Sequence, residues 1–136
     1  MIQPSITILD NEFVTIWCYP TKGIVHHQFH RYVFGDEFRN ILIKAVEAFE
    51  EHHCTKWLSD DRHFGAILPD DKKWGDDVWR PRILAAGWKY WAMVLPGSMT
   101  GQLNLTKMVG EYDALGVVTT VKTTPEDAIE WLLSHP

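Results

Sequence analysis

The densest group of polar side chains in this sequence occupies five consecutive positions. It comprises a hydroxyl, two carboxylates, a guanidinium and an imidazole, at Ser59, Asp60, Asp61, Arg62 and His63. The group follows an apolar segment typical of a short buried strand, and ligands of open α/β sheets usually bind just beyond the carboxyl ends of strands. Carboxylates accept hydrogen bonds, and the forked donors of Arg62 suit an anion. The sequence therefore predicts a small pocket for a polar or anionic ligand.

Two further residues are candidates for the walls of this pocket. Trp79 lies on the next predicted helix, and Ser98 follows the end of a neighbouring predicted strand. A structural interpretation of the cluster is also open, in which Asp60 or Asp61 caps the loop or pairs with Arg62 and stiffens the strand end.

A catalytic interpretation of the cluster finds less support in the sequence. Ser59 and His63 are close in sequence, but Ser59 has no Gly-x-Ser-x-Gly elbow around it and no oxyanion-hole loop is evident. We therefore assign no catalytic residue. A small hydrolase or transferase that uses Asp60 or Asp61 with His63 as acid and base stays as a second hypothesis.

The histidine-rich segment in the N-terminal region does not predict a metal site. His26 and His30 lie on one face of a predicted strand, but about 13 Å apart at ~3.3 Å per residue, and His27 points to the other face. Metal ligands must converge near 2 Å from one ion. Gly97 and Gly101 lack the lysine pattern of a phosphate-binding loop. From the histidine spacing and this missing pattern together, the sequence predicts neither a metal nor a cofactor.

Three strands joined by turns are predicted in the first part of the chain. They are rich in β-branched and aromatic residues and cover residues 5–9, 13–19 and 24–32. Apolar residues then recur at helical spacing from Phe38 to Phe49, which predicts an amphipathic helix with one face on the sheet.

The rest of the chain alternates between strand and helix patterns. Pro81 should break or restart the helix over 70–86, and Thr124 followed by a proline is a strong helix start. Strands that alternate with helices imply parallel crossovers. We therefore expect one α/β domain over residues 1–136, with a mixed β-sheet in which an N-terminal antiparallel meander precedes βα units and helices pack on the sheet. The remaining predicted strands cover residues 56–59, 90–95 and 117–121, and a further helix ends at Gly116.

Composition narrows the partners that the chain is expected to have. The sequence has 136 residues and a formal net charge of −5, which disfavours nucleic acid and anionic membrane surfaces. No apolar run reaches the roughly 20 residues that a membrane span needs, and the first residues do not resemble a signal peptide. Cys18 and Cys54 have no redox or metal spacing. These features predict a cytoplasmic protein with free thiols.

Seven tryptophans are many for this length. Some lie on elements that must pack and are expected in the core, namely Trp57, Trp91 and Trp131. Others flank the interrupted helix and could form a cover over a pocket or a dimer patch, namely Trp74, Trp79 and Trp88.

Four segments together resemble the SpoIIAA-like proteins, small members of the STAS-like fold that are often labelled STAS/SEC14-like. They are KWLSDDR at 56–62, GWKYWA at 87–92, LP at 95–96 and PEDAIEWL at 125–132. The resemblance covers nearly the whole chain and implies a fold rather than an activity. Better-known relatives are anti-sigma-factor antagonists with a phosphorylatable serine where a strand meets the next helix. Ser59 ends the corresponding strand here, but Asp60 and Asp61 follow it in place of a serine-rich helix start.

Three functional hypotheses follow. The first is a non-enzymatic binding or regulatory module that acts through another protein or a small ligand, possessing no cofactor and forming a homodimer. The second is the hydrolase or transferase described above. The third is a lipid-type carrier, which the SEC14 label alone suggests and which requires an apolar cavity.

Overall fold

A computed structural model describes residues 2–136. Its six strands form one sheet in which the spatial order equals the chain order. The first three strands pair antiparallel, and the third to sixth pair parallel. The expected mixed sheet with an N-terminal meander is thereby confirmed. The strands are β1 Ile6–Asp10, β2 Val14–Tyr19, β3 Ile24–Phe29, β4 Lys56–Asp60, β5 Tyr90–Val94 and β6 Val118–Lys122.

Helices cover both faces of this sheet. The C-terminal helix packs against β4, β5 and β6 on one face, and the other helices share the opposite face. No helix within residues 2–136 has the length and apolar character to cross a bilayer. The helices are α1 Gly35–Glu51, α2 Pro69–Trp74, α3 Arg80–Ala85, α4 Met99–Ala114 and α5 Pro125–Leu133.

The alternation within each strand produces two separate cores. Along β2, Val14, Ile16 and Cys18 face α1, whereas Trp17 and Tyr19 face the opposite side of the sheet. This is the two-residue period of a strand that is covered on both faces. The core beneath α1 is the larger, and it contains most of the aromatic side chains. The core beneath α5 is smaller and mainly aliphatic.

Pro81 is accommodated without ending the helical segment. A proline removes the hydrogen bond to the carbonyl four residues earlier and its ring collides with that carbonyl. Here a π turn, Gly75–Trp79, joins α2 to α3, and the Arg80 amide donates to the Gly75 carbonyl. The wider turn lets the chain remain helical from α2 through α3. The break that the sequence predicted at Pro81 is therefore a local change from α- to π-helical hydrogen bonding.

Local signals at the helix ends act as the sequence predicts. The Thr124 side chain caps α5 by accepting a hydrogen bond from the Asp127 amide at 3.2 Å, and Pro125 occupies the first turn. Gly116 follows α4 with a φ of +92°, a conformation that favours glycine. Gly116 thus ends α4 immediately before β6, and Thr124 starts α5 immediately after it.

Candidate functional site

A cavity lies on the α1 face of the sheet, above the carboxyl-terminal halves of β3 and β4. It has a volume of about 80 Å³ and is partly open to solvent. The segment at 64–67 and helix α4 cover it. Eight aromatic rings line it, namely Phe29, Phe38, Trp57, Phe64, Trp79, Trp88, Trp91 and Tyr112.

Strand register explains how polar groups reach this apolar cavity. Trp57, Ser59 and Asp61 alternate onto one face at the end of β4. The neighbouring strand β3 pairs with β4 in parallel and places His27 beside Ser59. On the other side, β5 places Trp91 beside Trp57. Adjacent strands lie only about 4.8 Å apart, so side chains that are distant in sequence become neighbours here.

A chain of hydrogen bonds joins three of these side chains. The Trp57 indole Nε1–H donates to His27 Nδ1 at 2.9 Å, and His27 Nε2 lies 2.9 Å from Asp61 Oδ1. An indole nitrogen can only donate, so Nδ1 must accept and the ring proton is on Nε2. His27 is therefore neutral and donates its Nε2–H to the Asp61 carboxylate. The hydrogen bond from Trp57 fixes this tautomer of His27. The hydrogen bonds of the Asp61 side chain within residues 2–136 involve Oδ1 alone.

Ser59 is held in the same wall by a different tryptophan. The Trp91 Nε1–H donates to Ser59 Oγ at 2.8 Å, and both groups are buried. A nucleophilic serine needs a base within hydrogen-bond reach. His27 is the histidine nearest to Ser59 in register, but both of its ring nitrogens are already bonded. The arrangement is therefore not that of a Ser-His-Asp triad.

The four tryptophans of the cavity are fixed by their own hydrogen bonds. In addition to Trp57 and Trp91, Trp79 Nε1–H donates to the Leu42 carbonyl and Trp88 Nε1–H to the Tyr90 carbonyl, both at 3.0 Å. Their rings pack edge to face or tilted, with centroids 5.3–5.8 Å apart along the series Trp57, Trp79, Trp88 and Trp91. Every indole donor is thus occupied by protein, so the rings present their carbon surfaces to the cavity.

The covering segment is attached to the protein on both sides. The Tyr32 hydroxyl donates to the Ala66 carbonyl at 2.6 Å, and the Ile67 amide donates to Asn104 Oδ1 at 3.2 Å. Gly101 of α4 abuts this segment, since a Cβ at that position would lie 3.2 Å from the Gly65 carbonyl carbon. These contacts hold α4 and the segment together over the aromatic wall.

The pleat of β4 divides the polar cluster that the sequence singles out. Asp60 points to the α5 face, where Arg62 Nη2 lies 2.7 Å and Arg62 Nε 2.9 Å from its two carboxylate oxygens. Burial alone would raise the pKa of Asp60, but the hydrogen bonds and charge of Arg62 lower that pKa below its usual range. Asp60 and Arg62 therefore form the ion pair at the strand end that the structural interpretation of the cluster described. Neither residue lines the cavity.

The remaining predicted site residues divide in the same way. Ser59, Asp61 and Trp79 line the cavity. His63 is exposed, and neither it nor Ser98 is part of the lining. Ser98 instead caps α4, because its Oγ accepts a hydrogen bond from the Gly101 amide at 3.0 Å.

Sequence reasoning missed most of the lining, including three side chains that form the hydrogen bonds of the site. Trp57 and Trp91 were expected in the core, and they are buried, but they also line the cavity. The two-residue period of β4 already placed Trp57 on the side of Ser59. His27 was interpreted as an ordinary strand histidine, and no local pattern connects it with Asp61.

The cavity does not have the groups that a metal site requires. Within residues 2–136, no group of three or more His, Cys, Asp or Glu side chains is arranged to hold a metal ion. Apart from the tryptophans, the lining residues with polar side chains are His27, Ser59, Asp61, Asn104 and Tyr112. What the arrangement offers chemically is a rigid aromatic enclosure with one carboxylate.

Comparison with known proteins does not assign this arrangement, because no family model, curated protein or solved structure matches the chain. Membership of the SpoIIAA-like family therefore stays a prediction.

Proposed function

We propose that this protein is a non-enzymatic module that binds a small ligand in the aromatic cavity above β4. The observation that carries the proposal is a cavity of about 80 Å³ with eight aromatic rings around a single carboxylate. Protein interiors are normally packed with few voids larger than a water molecule. Concave apolar sites with a few convergent polar groups are the usual form of small-molecule sites.

Rigidity supports binding rather than catalysis. The cavity tryptophans and His27 are each held by hydrogen bonds to other protein groups. Such a site is preorganised, so a ligand loses little affinity to the ordering of side chains. General acid–base catalysis needs a group that can exchange a proton with the substrate, and His27 has neither ring nitrogen available for this.

The hydrolase hypothesis finds little support in the position of its residues. It requires Asp60 or Asp61 to act together with His63. Asp60 is paired with Arg62 on the α5 face, and His63 is exposed and outside the cavity lining. Asp61 is bonded to His27 instead.

The volume of the cavity argues against the lipid carrier. Pockets for drug-sized ligands measure roughly 300–1,000 Å³, and an acyl chain needs a comparable space. The cavity here has about 80 Å³. A ligand of very few non-hydrogen atoms is therefore the occupant that this volume favours.

The test uses the indole N–H signals of the seven tryptophans in a ¹H–¹⁵N spectrum. Ethylammonium, ethanol and acetate are added separately, because these small molecules are of similar size and differ in charge. We expect at least one of them to shift the indole signals of the cavity while the other tryptophans serve as internal controls. The cavity signals belong to Trp57, Trp79, Trp88 and Trp91, and the controls are Trp17, Trp74 and Trp131.

A pair of variants on α4 shows whether the shifts come from the cavity. Met108 lines the cavity, and Leu103 is exposed on the same helix. Met108→Phe should fill the space and abolish the shifts, whereas Leu103→Phe should leave them unchanged. If none of the three molecules moves a cavity signal at high millimolar concentration, the proposed function is wrong.

Native mass spectrometry of freshly purified protein adds an independent measurement. It reports any ligand that remains bound through purification, and it also reports the oligomeric state. The homodimer expected from the sequence stays a prediction until that mass is measured.

A further inference from the structure

We propose that the ligand of the aromatic cavity is a small alkylammonium ion. This inference rests on the proposed function and adds the chemical class of the ligand. It follows from three properties of the cavity, which are its charge, the surfaces that its aromatic rings present, and its volume.

Asp61 is the one formally charged side chain in the lining. No lysine or arginine is among the lining residues, and His27 is a neutral partner because its Nδ1 accepts from Trp57. A carboxylate among apolar walls is costly unless a positive charge or several donors compensate it. Oδ1 has the His27 donor at 2.9 Å, which leaves Oδ2 as the acceptor for an ammonium N–H.

The same charge distribution disfavours the anionic ligand that the sequence predicted. That expectation depended on Arg62, whose guanidinium is bonded to Asp60 on the opposite face of the sheet. An anion in the cavity would meet the Asp61 carboxylate with no cation to offset the repulsion.

The aromatic walls favour the same ligand class. A cation is attracted to the face of an aromatic ring, and tryptophan gives the strongest attraction. Four tryptophans line the cavity, and each of them directs its indole N–H to a protein acceptor. Each indole N–H, the positive end of the indole dipole, is therefore bonded to a protein acceptor. A ligand in the cavity would contact the carbon atoms of the rings.

The volume limits the size of the ion. At ~30 Å³ per water molecule, the cavity volume of about 80 Å³ corresponds to two or three waters. An ammonium group with one or two carbon atoms matches that space. A longer chain would have to extend beyond the cavity.

The decisive experiment compares ethylammonium with ethanol and acetate in the wild-type protein, with the indole signals as the readout. Ethylammonium and ethanol have the same number of non-hydrogen atoms, so charge is the main difference between them. We expect ethylammonium to bind at least about tenfold more tightly than ethanol, a difference of ~1.4 kcal/mol, because the Asp61 carboxylate and the aromatic rings both attract the charged group. Acetate should bind most weakly.

Asp61→Asn tests the carboxylate directly. An asparagine Oδ1 can still accept the His27 Nε2–H, so the variant removes the charge and retains that hydrogen bond. We expect the ratio of its affinities for ethylammonium and ethanol to fall at least about fivefold below the wild-type ratio, because the charged acceptor is lost while the aromatic rings remain. Asp60→Asn is the matched control, since it removes a carboxylate from the adjacent residue on the opposite face, and it should keep the preference for ethylammonium.

The outcomes separate this inference from the proposed function. Equal wild-type affinities for ethylammonium and ethanol, or tighter binding of acetate, would overturn the alkylammonium assignment and leave ligand binding in the cavity intact. A preference for ethylammonium that Asp61→Asn leaves undiminished would also overturn it. Binding of none of the three molecules would remove the proposed function itself. The wild-type comparison requires no variant to fold.

Discussion

Two adjacent histidines of β3 have opposite chemical surroundings because the pleat sends them to opposite faces. His27 has both ring nitrogens bonded, to Trp57 and Asp61. His26 Nδ1 lies 2.8 Å from the Tyr19 hydroxyl, but its buried Nε2 has no hydrogen-bond partner within residues 2–136. Burial lowers the pKa of His26 to about 3, and the nearby Asp60 carboxylate offsets only a part of that shift.

The low pKa of His26 predicts a loss of stability in acid. The unfolded chain binds a proton to this residue below about pH 6.5, whereas the folded protein does so only near pH 3. Between these values the unfolded state binds more protons, so the free energy of unfolding falls as pH falls. In urea unfolding followed by tryptophan fluorescence, we expect the wild type to lose roughly 2 kcal/mol more than His26→Gln between about pH 7 and about pH 4.5.

The control for this prediction is His63→Gln, because His63 is exposed and its loss should leave the wild-type pH dependence unchanged. Parallel stability curves for the wild type and His26→Gln would show that His26 does not bind its proton as described.

At the scale of the element, the first turn of α4 closes the cavity. Ser98 caps this helix, and Gly101 fits where no larger residue can. A Cβ on Gly101 would lie 2.8 Å from Pro96 Cβ and 2.9 Å from Ser98 Oγ. The absence of a side chain thus lets α4 approach both the end of β5 and the covering segment, which sets the height of the cavity.

Two glycines of the same helix give opposite predictions. Gly101→Ala should lower the free energy of unfolding by about 1–3 kcal/mol, as overpacking does. Nothing lies within 4 Å of a Cβ on Gly110, so Gly110→Ala should raise it by up to ~1 kcal/mol through helix propensity. Urea unfolding measures both. If Gly101→Ala were as stable as Gly110→Ala, the close contact at the start of α4 would not exist in solution.

At the scale of the whole molecule, the two cores enclose residues from every part of the chain. Cys18 of β2 and Cys54 before β4 both have no exposed surface, and their Sγ atoms lie 3.8 Å apart beneath α1. The hydrogen bond with Cys18, together with burial, raises the pKa of Cys54. A reagent can reach these thiols only when the α1 face of the sheet opens.

Thiol labelling is therefore predicted to report global unfolding. In native buffer, both cysteines should react with an aromatic disulfide reagent no faster than the protein unfolds, because modification requires the buried thiol to be exposed. The unfolding rate is measured separately from tryptophan fluorescence after a jump into urea. Cys54→Ser leaves Cys18 as the single thiol and should keep the same limit. Labelling faster than unfolding would mean that α1 separates from the sheet on its own.

The sequence by itself determined the order of the elements and several of their ends. Two-residue and helical periodicities, the Thr124–Pro125 start and the glycine after α4 are local signals, and each acts over a few residues. They were sufficient for the mixed sheet with its N-terminal meander. They also placed residues 59–61 at the end of a strand, because a buried strand and the polar residues after it are adjacent in the chain.

Only the tertiary structure decided which side chains share the cavity. His27 meets Asp61 through the register of β3 against β4, and hydrogen-bond register between strands far apart in sequence leaves no local pattern to detect. The register of β5 against β4 likewise places Trp91 beside Trp57, while the π turn before α3 and the loop before β5 add Trp79 and Trp88. The residues of the cavity can all be read from the sequence. Their convergence cannot, because it depends on contacts that form when the sheet and its covering helices assemble.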